Sequence, residues 1–137
     1  MQRPESVLPA NHLKVQMDDI TEQIEGFVAP SDFHIEQLLN FVRGWNRGAP
    51  MVVHCYAGIS RSTASAFAAV CMLNPHRDEI SIARQIRAAS PIASPNRLIV
   101  SLADKALGRE GRMLRALDEM GPGSMVVEGR PFRIELD

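Results

Sequence analysis

Residues 51–75, MVVHCYAGISRSTASAFAAVCMLNP, constrain this chain most: a short apolar run, a glycine-bearing turn and a long run of small and apolar residues stand end to end. The run at 51–54 follows Ala49-Pro50 and leads directly into Cys55, which reads as a short buried strand. From about Arg61 the residues STASAFAAVCML read as a buried helix. Asn74-Pro75 ends it, because proline lacks the N–H and its ring collides with the preceding turn. The expected centre of the fold is therefore strand, loop, helix, with Cys55 at the head of the loop.

The flanking sequence predicts what surrounds that unit. Leu13, Val15 and Met17 alternate with His12, Lys14 and Gln16, the period of a half-buried strand, which should end near Asp18-Asp19. After a loop through Gly26 and Pro30, Ser31 is placed as an N-cap with Asp32 in the first turn. Ile35, Leu38, Leu39, Val42 and Trp45 then recur at helical spacing, predicting a helix that runs to Gly48. Apolar periodicity predicts three more helices over 78–89, 95–107 and 110–120. Gly121-Pro122-Gly123 closes the helical region, and 121–137 is a C-terminal extension, strand or frayed tail, to which no function is assigned. The whole reads as one domain over 1–120.

Composition narrows the function. With 137 residues there is room for one core. A net charge of -1 removes the electrostatic argument for nucleic acid, so an anion must be captured by local geometry. No stretch of apolar residues is long enough to span a membrane, and MQRPESVLPANHLKVQMDD does not read as a secretory signal, so the expected compartment is the cytoplasm. Cys55 and Cys71 are too few and too far apart for a disulfide framework or a paired-cysteine zinc site; reduced thiols, no metal and no cofactor are expected.

Residues 54–63, HCYAGISRST, place a cysteine and an arginine six apart across a strand-to-helix turn. A loop whose backbone N–H groups point inward, followed by a helix N-terminus, is a concave anion site. Tyr56, Ala57, Gly58, Ile59, Ser60 and Arg61 would form it, with Gly58 allowing the tight turn. Arg61 adds paired charge-assisted hydrogen bonds to phosphate oxygens, in a planar geometry that lysine lacks. The same positive potential lowers the pKa of a thiol at the loop's start, so Cys55 is expected to be the thiolate that attacks phosphorus. Ser62, at the helix start, is placed to donate a hydrogen bond to the Cys55 sulfur; helix capping is its simpler reading. Five such specified positions arise by chance in a chain of this size on the order of 10⁻⁵ times, so the pattern is a strong signal.

This segment resembles the HCxxGxxRS signature of the protein tyrosine phosphatase superfamily, particularly its small dual-specificity-like and bacterial members. The resemblance spans about residues 12–107. It implies an α/β fold, a small central sheet flanked by helices. The motif comes early, which implies a chain without the strand and helix that usually precede the acid loop, either a truncated product or a reduced form. It also implies a general-acid aspartate on a loop upstream of the cysteine. Asp18 and Asp19 are the candidates, and Asp19 is favoured because it continues the face of Leu13, Val15 and Met17. The late segment SPIASPN, ending at Asn96, resembles a loop whose asparagine supports the phosphate cradle.

Simpler readings compete residue by residue. Cys71 lies among Ala68, Ala69, Val70 and Leu73, where packing accounts for it. His54 has no second ligand at metal spacing and reads as a hydrogen-bonded support that orients the Cys55 loop. Asp19 as a plain turn residue and Asn96 as a plain helix cap stay open. Phe41 and Trp45 read as packing.

The reading that best unites these features is hydrolysis of phosphotyrosine, with phosphoserine and phosphothreonine as further substrates, through a cysteinyl phosphate. The partner is then a phosphorylated protein or peptide, with neither nucleic acid nor membrane involved. Two alternatives remain: a phosphatase for inositol phosphates, phosphoinositides or RNA ends, and a phosphate-binding module that does not turn over. The loop carries no lysine, which disfavours polyanionic substrates.

Overall fold

In a computed structural model of the chain, residues 2–125 and 129–136 are described. Among these residues, a 3₁₀ turn at Pro9–Asn11 is followed by five α-helices: α1 Asp32–Arg43, α2 Arg61–Leu73, α3 Glu79–Ala89, α4 Arg97–Leu107 and α5 Arg112–Met120.

α2 is the hub, because its small side chains let neighbours approach on several sides. Ala64, Phe67, Ala68 and Cys71 are fully buried, and α2 packs against α1, α3 and α4. α5 closes the far side against α3 and α4, inserting Met113, Ala116 and Leu117. α1 contributes Ile35, Leu38, Leu39 and Val42, the stripe its spacing predicts. It ends at Arg43, not Gly48: Gly44 caps it and Trp45 turns away, its Nε1 donating to Ala49 O at 3.0 Å. Side-chain caps start two helices, with Asp78 accepting from Ile80 N and Asn96 from Ile99 N.

The expected α/β architecture is not observed. Among the described residues there is no strand and therefore no central sheet; the fold is all-helical. The two segments predicted as strands are extended chain with one-sided burial. Leu13, Val15 and Met17 are half-buried while Lys14 and Gln16 are exposed, and Met51, Val53 and Cys55 are half-buried while Val52 and His54 are exposed. Alternation therefore reported the buried face correctly, but a sheet also needs backbone partners in register. Among the described residues, neither segment exchanges a ladder of backbone hydrogen bonds with another. Burial comes instead from the helices, Met17 and Met51 packing against the core that α2 organises.

Part of the described chain after α5 also lies on this core. Phe132, Ile134 and Leu136 pack against it, and Glu135 O accepts from Gln85 Nε2 of α3 at 3.2 Å. A buried ion pair ties α3 to the α4–α5 turn: Arg109 donates to Glu79 at 2.6 Å, both side chains being 6% exposed, and Arg109 also holds the Cys71 carbonyl at the end of α2. Among the described residues no helix is long and apolar enough to cross a membrane.

Candidate active site

The loop from Cys55 to Ser60 runs into the N-terminus of α2, where the first turn leaves backbone N–H groups without intrahelical partners and the helix dipole adds positive potential. Its shape follows from where its carbonyls go. Ala57 O accepts from Gly129 N at 2.6 Å, Ile59 O from Ser94 N at 2.9 Å, and Ser60 O from Asn96 N at 3.1 Å. Thr63 Oγ1 adds bonds to Ile59 O at 2.6 Å and Ser60 O at 3.1 Å. In a trans peptide the N–H opposes the C=O, so carbonyls held outward turn the N–H groups of the same peptides inward. Gly58 makes this possible with a φ of 72°, in the left-handed region.

Cys55 is half-buried at the head of this loop. Its Sγ lies 3.2 Å from Ser62 Oγ and accepts from Gly58 N at 3.3 Å. Burial alone would push the thiol up. The Ser62 hydroxyl and the N–H groups of Ser62, Gly58 and Ile59 outweigh it, and the Cys55 pKa lies below its ordinary value. Cys71 shows the opposite: buried inside α2, it is pushed up to about 12, as desolvation of a thiolate requires.

Arg61 opens α2. Its Nη1 donates to Met17 O at 2.9 Å, and its Nε is buried with no hydrogen-bond partner among the described residues. A buried guanidinium N–H left unpaired beside a ring of inward N–H groups fits an oxyanion. Tyr56 is 91% exposed.

The segment after Met17 brings the two aspartates to different places. Asp19 Oδ1 accepts from Ser60 Oγ at 2.7 Å and from Asn96 Nδ2 at 2.8 Å, while Oδ2 has no partner among the described residues. Asp18 turns away and closes its own loop, pairing with Val28 through Val28 N to Oδ2 and Asp18 N to Val28 O, each 2.7 Å. Asn96 uses every polar group it has: Oδ1 caps α4, Nδ2 reaches Asp19 Oδ1 and Ile20 O, and its N–H holds Ser60 O.

Cys55, Gly58, Ser60, Arg61, Ser62, Asp19 and Asn96 thus meet in one place. His54 does not join them: it is exposed, and no hydrogen bond ties it to the loop among the described residues. Sequence reasoning missed the Met17 carbonyl, Ser94 and Gly129, since backbone groups carry no residue-specific mark.

Against this geometry stands one comparison. The family model described as protein-tyrosine phosphatase matches residues 3–91, well over half of the chain, including Asp19 and the whole Cys55 loop. The chain belongs to the protein-tyrosine phosphatase family. Its function is accordingly that of a protein-tyrosine-phosphatase-like domain. No curated protein and no solved structure matches the chain. In this phosphatase-family chain the match ends before Asn96, α4, α5 and the C-terminal segment, so the donors from Asn96 and Gly129 come from outside it.

Proposed function

We propose that this chain hydrolyses phosphotyrosine in proteins or peptides through a cysteinyl-phosphate intermediate, with phosphoserine and phosphothreonine as further substrates. The observation that carries the reading is the environment of Cys55: a thiol with a lowered pKa, held by the Gly58 N–H and Ser62, at the head of a loop beside a buried guanidinium N–H that has no partner among the described residues.

In the first step the Cys55 sulfur attacks phosphorus. The P–O bond to the leaving group breaks, and Asp19 gives its proton to that oxygen. The inward N–H groups and Arg61 stabilise the charge on the three non-bridging oxygens. In the second step water attacks phosphorus, the S–P bond breaks, Asp19 takes the proton, and Ser62 donates to the departing thiolate. Asp19 suits this role because one of its oxygens is tethered to Ser60 and Asn96 while the other has no partner among the described residues. The loop side chains Tyr56, Ala57, Ile59 and Ser60 are uncharged, which favours a single phosphate on an aryl or alkyl group over a polyphosphorylated lipid or sugar.

The test is turnover of p-nitrophenyl phosphate and a phosphotyrosyl peptide in the presence of a metal chelator, with Cys55→Ser alongside. Activity in the wild type, its loss in the variant and trapping of phosphate on Cys55 by acid quench support the reading. Equal turnover by Cys55→Ser sinks it. Binding of phosphate without turnover by the wild type would instead make this a recognition module.

A further inference from the structure

The peptide unit between Ala57 and Gly58 is engaged at both ends. Its N–H donates to Cys55 Sγ at 3.3 Å, and its C=O accepts from Gly129 N at 2.6 Å. Gly129 N–H, the Ala57–Gly58 amide and the sulfur therefore form one hydrogen-bonded chain through a single planar group.

The close approach accounts for glycine at position 129. A Cβ there would stand 2.5 Å from Gly58 O, a contact that real Cβ atoms essentially never make with backbone, and a tight 3.1 Å from Ala57 O. That approach by itself calls for glycine here, since there is no space for a side chain. A second glycine seats the same segment nearby: Gly123 lies against the backbone of Ile92 and Ala93, and its N–H donates to Ser94 Oγ at 3.3 Å. Ser94 in turn holds Ile59 O. Farther on, Phe132 and Ile134 anchor the segment to the core.

We propose that Gly129 is a positioning residue of the active site, its N–H fixing the Ala57–Gly58 amide so that the Gly58 N–H stays aimed at the Cys55 sulfur. The C-terminal segment, outside the family match, thereby completes the phosphate loop of this chain. A planar amide rotates as a unit, so an unanchored Ala57 carbonyl frees the Gly58 N–H to leave the sulfur. Among the described residues, the charged or titratable groups bordering the loop are Arg61 on α2, Asp19 on the preceding segment, His54 and Tyr56 as chain neighbours, and Arg130 beside Gly129. His54, Tyr56 and Arg130 are all exposed.

This inference rests on Cys55 as the reactive thiol and is tested without turnover, through the pH dependence of Cys55 alkylation by iodoacetamide, followed by mass spectrometry. Two variants of the full chain are compared. Gly129→Ala introduces the clash; replacing the Gly129 amide by an ester, through ligation of a synthetic C-terminal segment, removes the N–H and adds no atom.

Both should raise the alkylation midpoint by up to about one pH unit, the weight of one hydrogen bond to a charged sulfur, with up to about a tenfold slower reaction below it. Arg130→Gln should leave it in place. An ester variant with native circular dichroism and an unmoved midpoint overturns the proposal, as does an equal rise in Arg130→Gln, which would assign the effect to charge. If Gly129→Ala fails to fold, the ester variant alone decides. Should Cys55→Ser prove fully active, the functional reading fails while the alkylation result still stands.

Discussion

Asn96 Nδ2 donates to Asp19 Oδ1 at 2.8 Å, joining the N-cap of α4 to a loop 77 residues earlier. The same Asp19 oxygen accepts from Ser60 of the phosphate loop, so a residue of the proposed acid loop, a cradle residue and a helix cap share one atom. The tether and the proton are thus separable functions of Asp19.

Asp19→Asn keeps an oxygen that can accept from Ser60 and Asn96 but has no acidic proton to give. Hydrolysis of alkyl phosphates should fall about 10²- to 10⁴-fold, with a much smaller loss on p-nitrophenyl phosphate, whose leaving group departs without protonation. A leaving-group series on Asp19→Asn measures this, with Asp18→Ala as control. Equal losses on both substrate types would leave Asp19 as a tether only.

Ser62→Ala removes the hydroxyl that lies 3.2 Å from the Cys55 sulfur and helps to hold its pKa down. The thiolate is the reactive form, present above the folded-state pKa and lost as pH falls through it. Because Ser62 lowers that pKa, the variant should move the acid limb of kcat/KM upward by about one unit. Activity in mild acid should be lost first, and a burst of leaving group should become visible if the cysteinyl phosphate breaks down more slowly.

Arg61→Lys preserves charge but not the fork. It loses the donor geometry of Nε and of the bond to Met17 O, so kcat/KM should drop about 10²- to 10³-fold. Inhibition by vanadate should weaken in parallel, measured by competition against p-nitrophenyl phosphate.

Glu79→Ala leaves the buried Arg109 guanidinium without its carboxylate, which should cost about 3 to 5 kcal/mol of stability, read from the denaturant midpoint. Burial would raise the Glu79 pKa, but Arg109 and Arg112 hold it below the ordinary value. Its contribution to stability is therefore present above the unfolded-state pKa of about 4.3 and lost as pH falls through the folded one. The wild type should lose stability on that acid side, and Glu79→Ala should show less of this loss.

The two cysteines should separate cleanly in labelling. With Cys71 pushed up to about 12 inside α2, iodoacetamide at neutral pH should modify Cys55 in the folded protein and reach Cys71 only after denaturation. Peptide mapping checks this.

Local signals were legible where one segment carries its own cause. The stripe of α1, the small-residue run of α2 before Asn74-Pro75, the cap at Asn96, and the spacing of Cys55, Gly58 and Arg61 are each determined within a few residues. The Leu13, Val15 and Met17 alternation also reported a real one-sided burial, yet it led to a sheet that is absent among the described residues, because side-chain periodicity says nothing of backbone partners.

The Cys55 loop was thus written in the chain as a set of residue types: thiol, glycine, guanidinium and hydroxyl at the spacing of a turn into a helix. Tertiary structure decided what holds that loop in shape. Its outward carbonyls are taken by Ser94, Asn96 and Gly129, and its neighbour Asp19 by Ser60 and Asn96. Those partners act largely through backbone N–H groups, which every residue but proline possesses, so only the folding of α4 and the C-terminal segment onto the helical core determines which of them arrive.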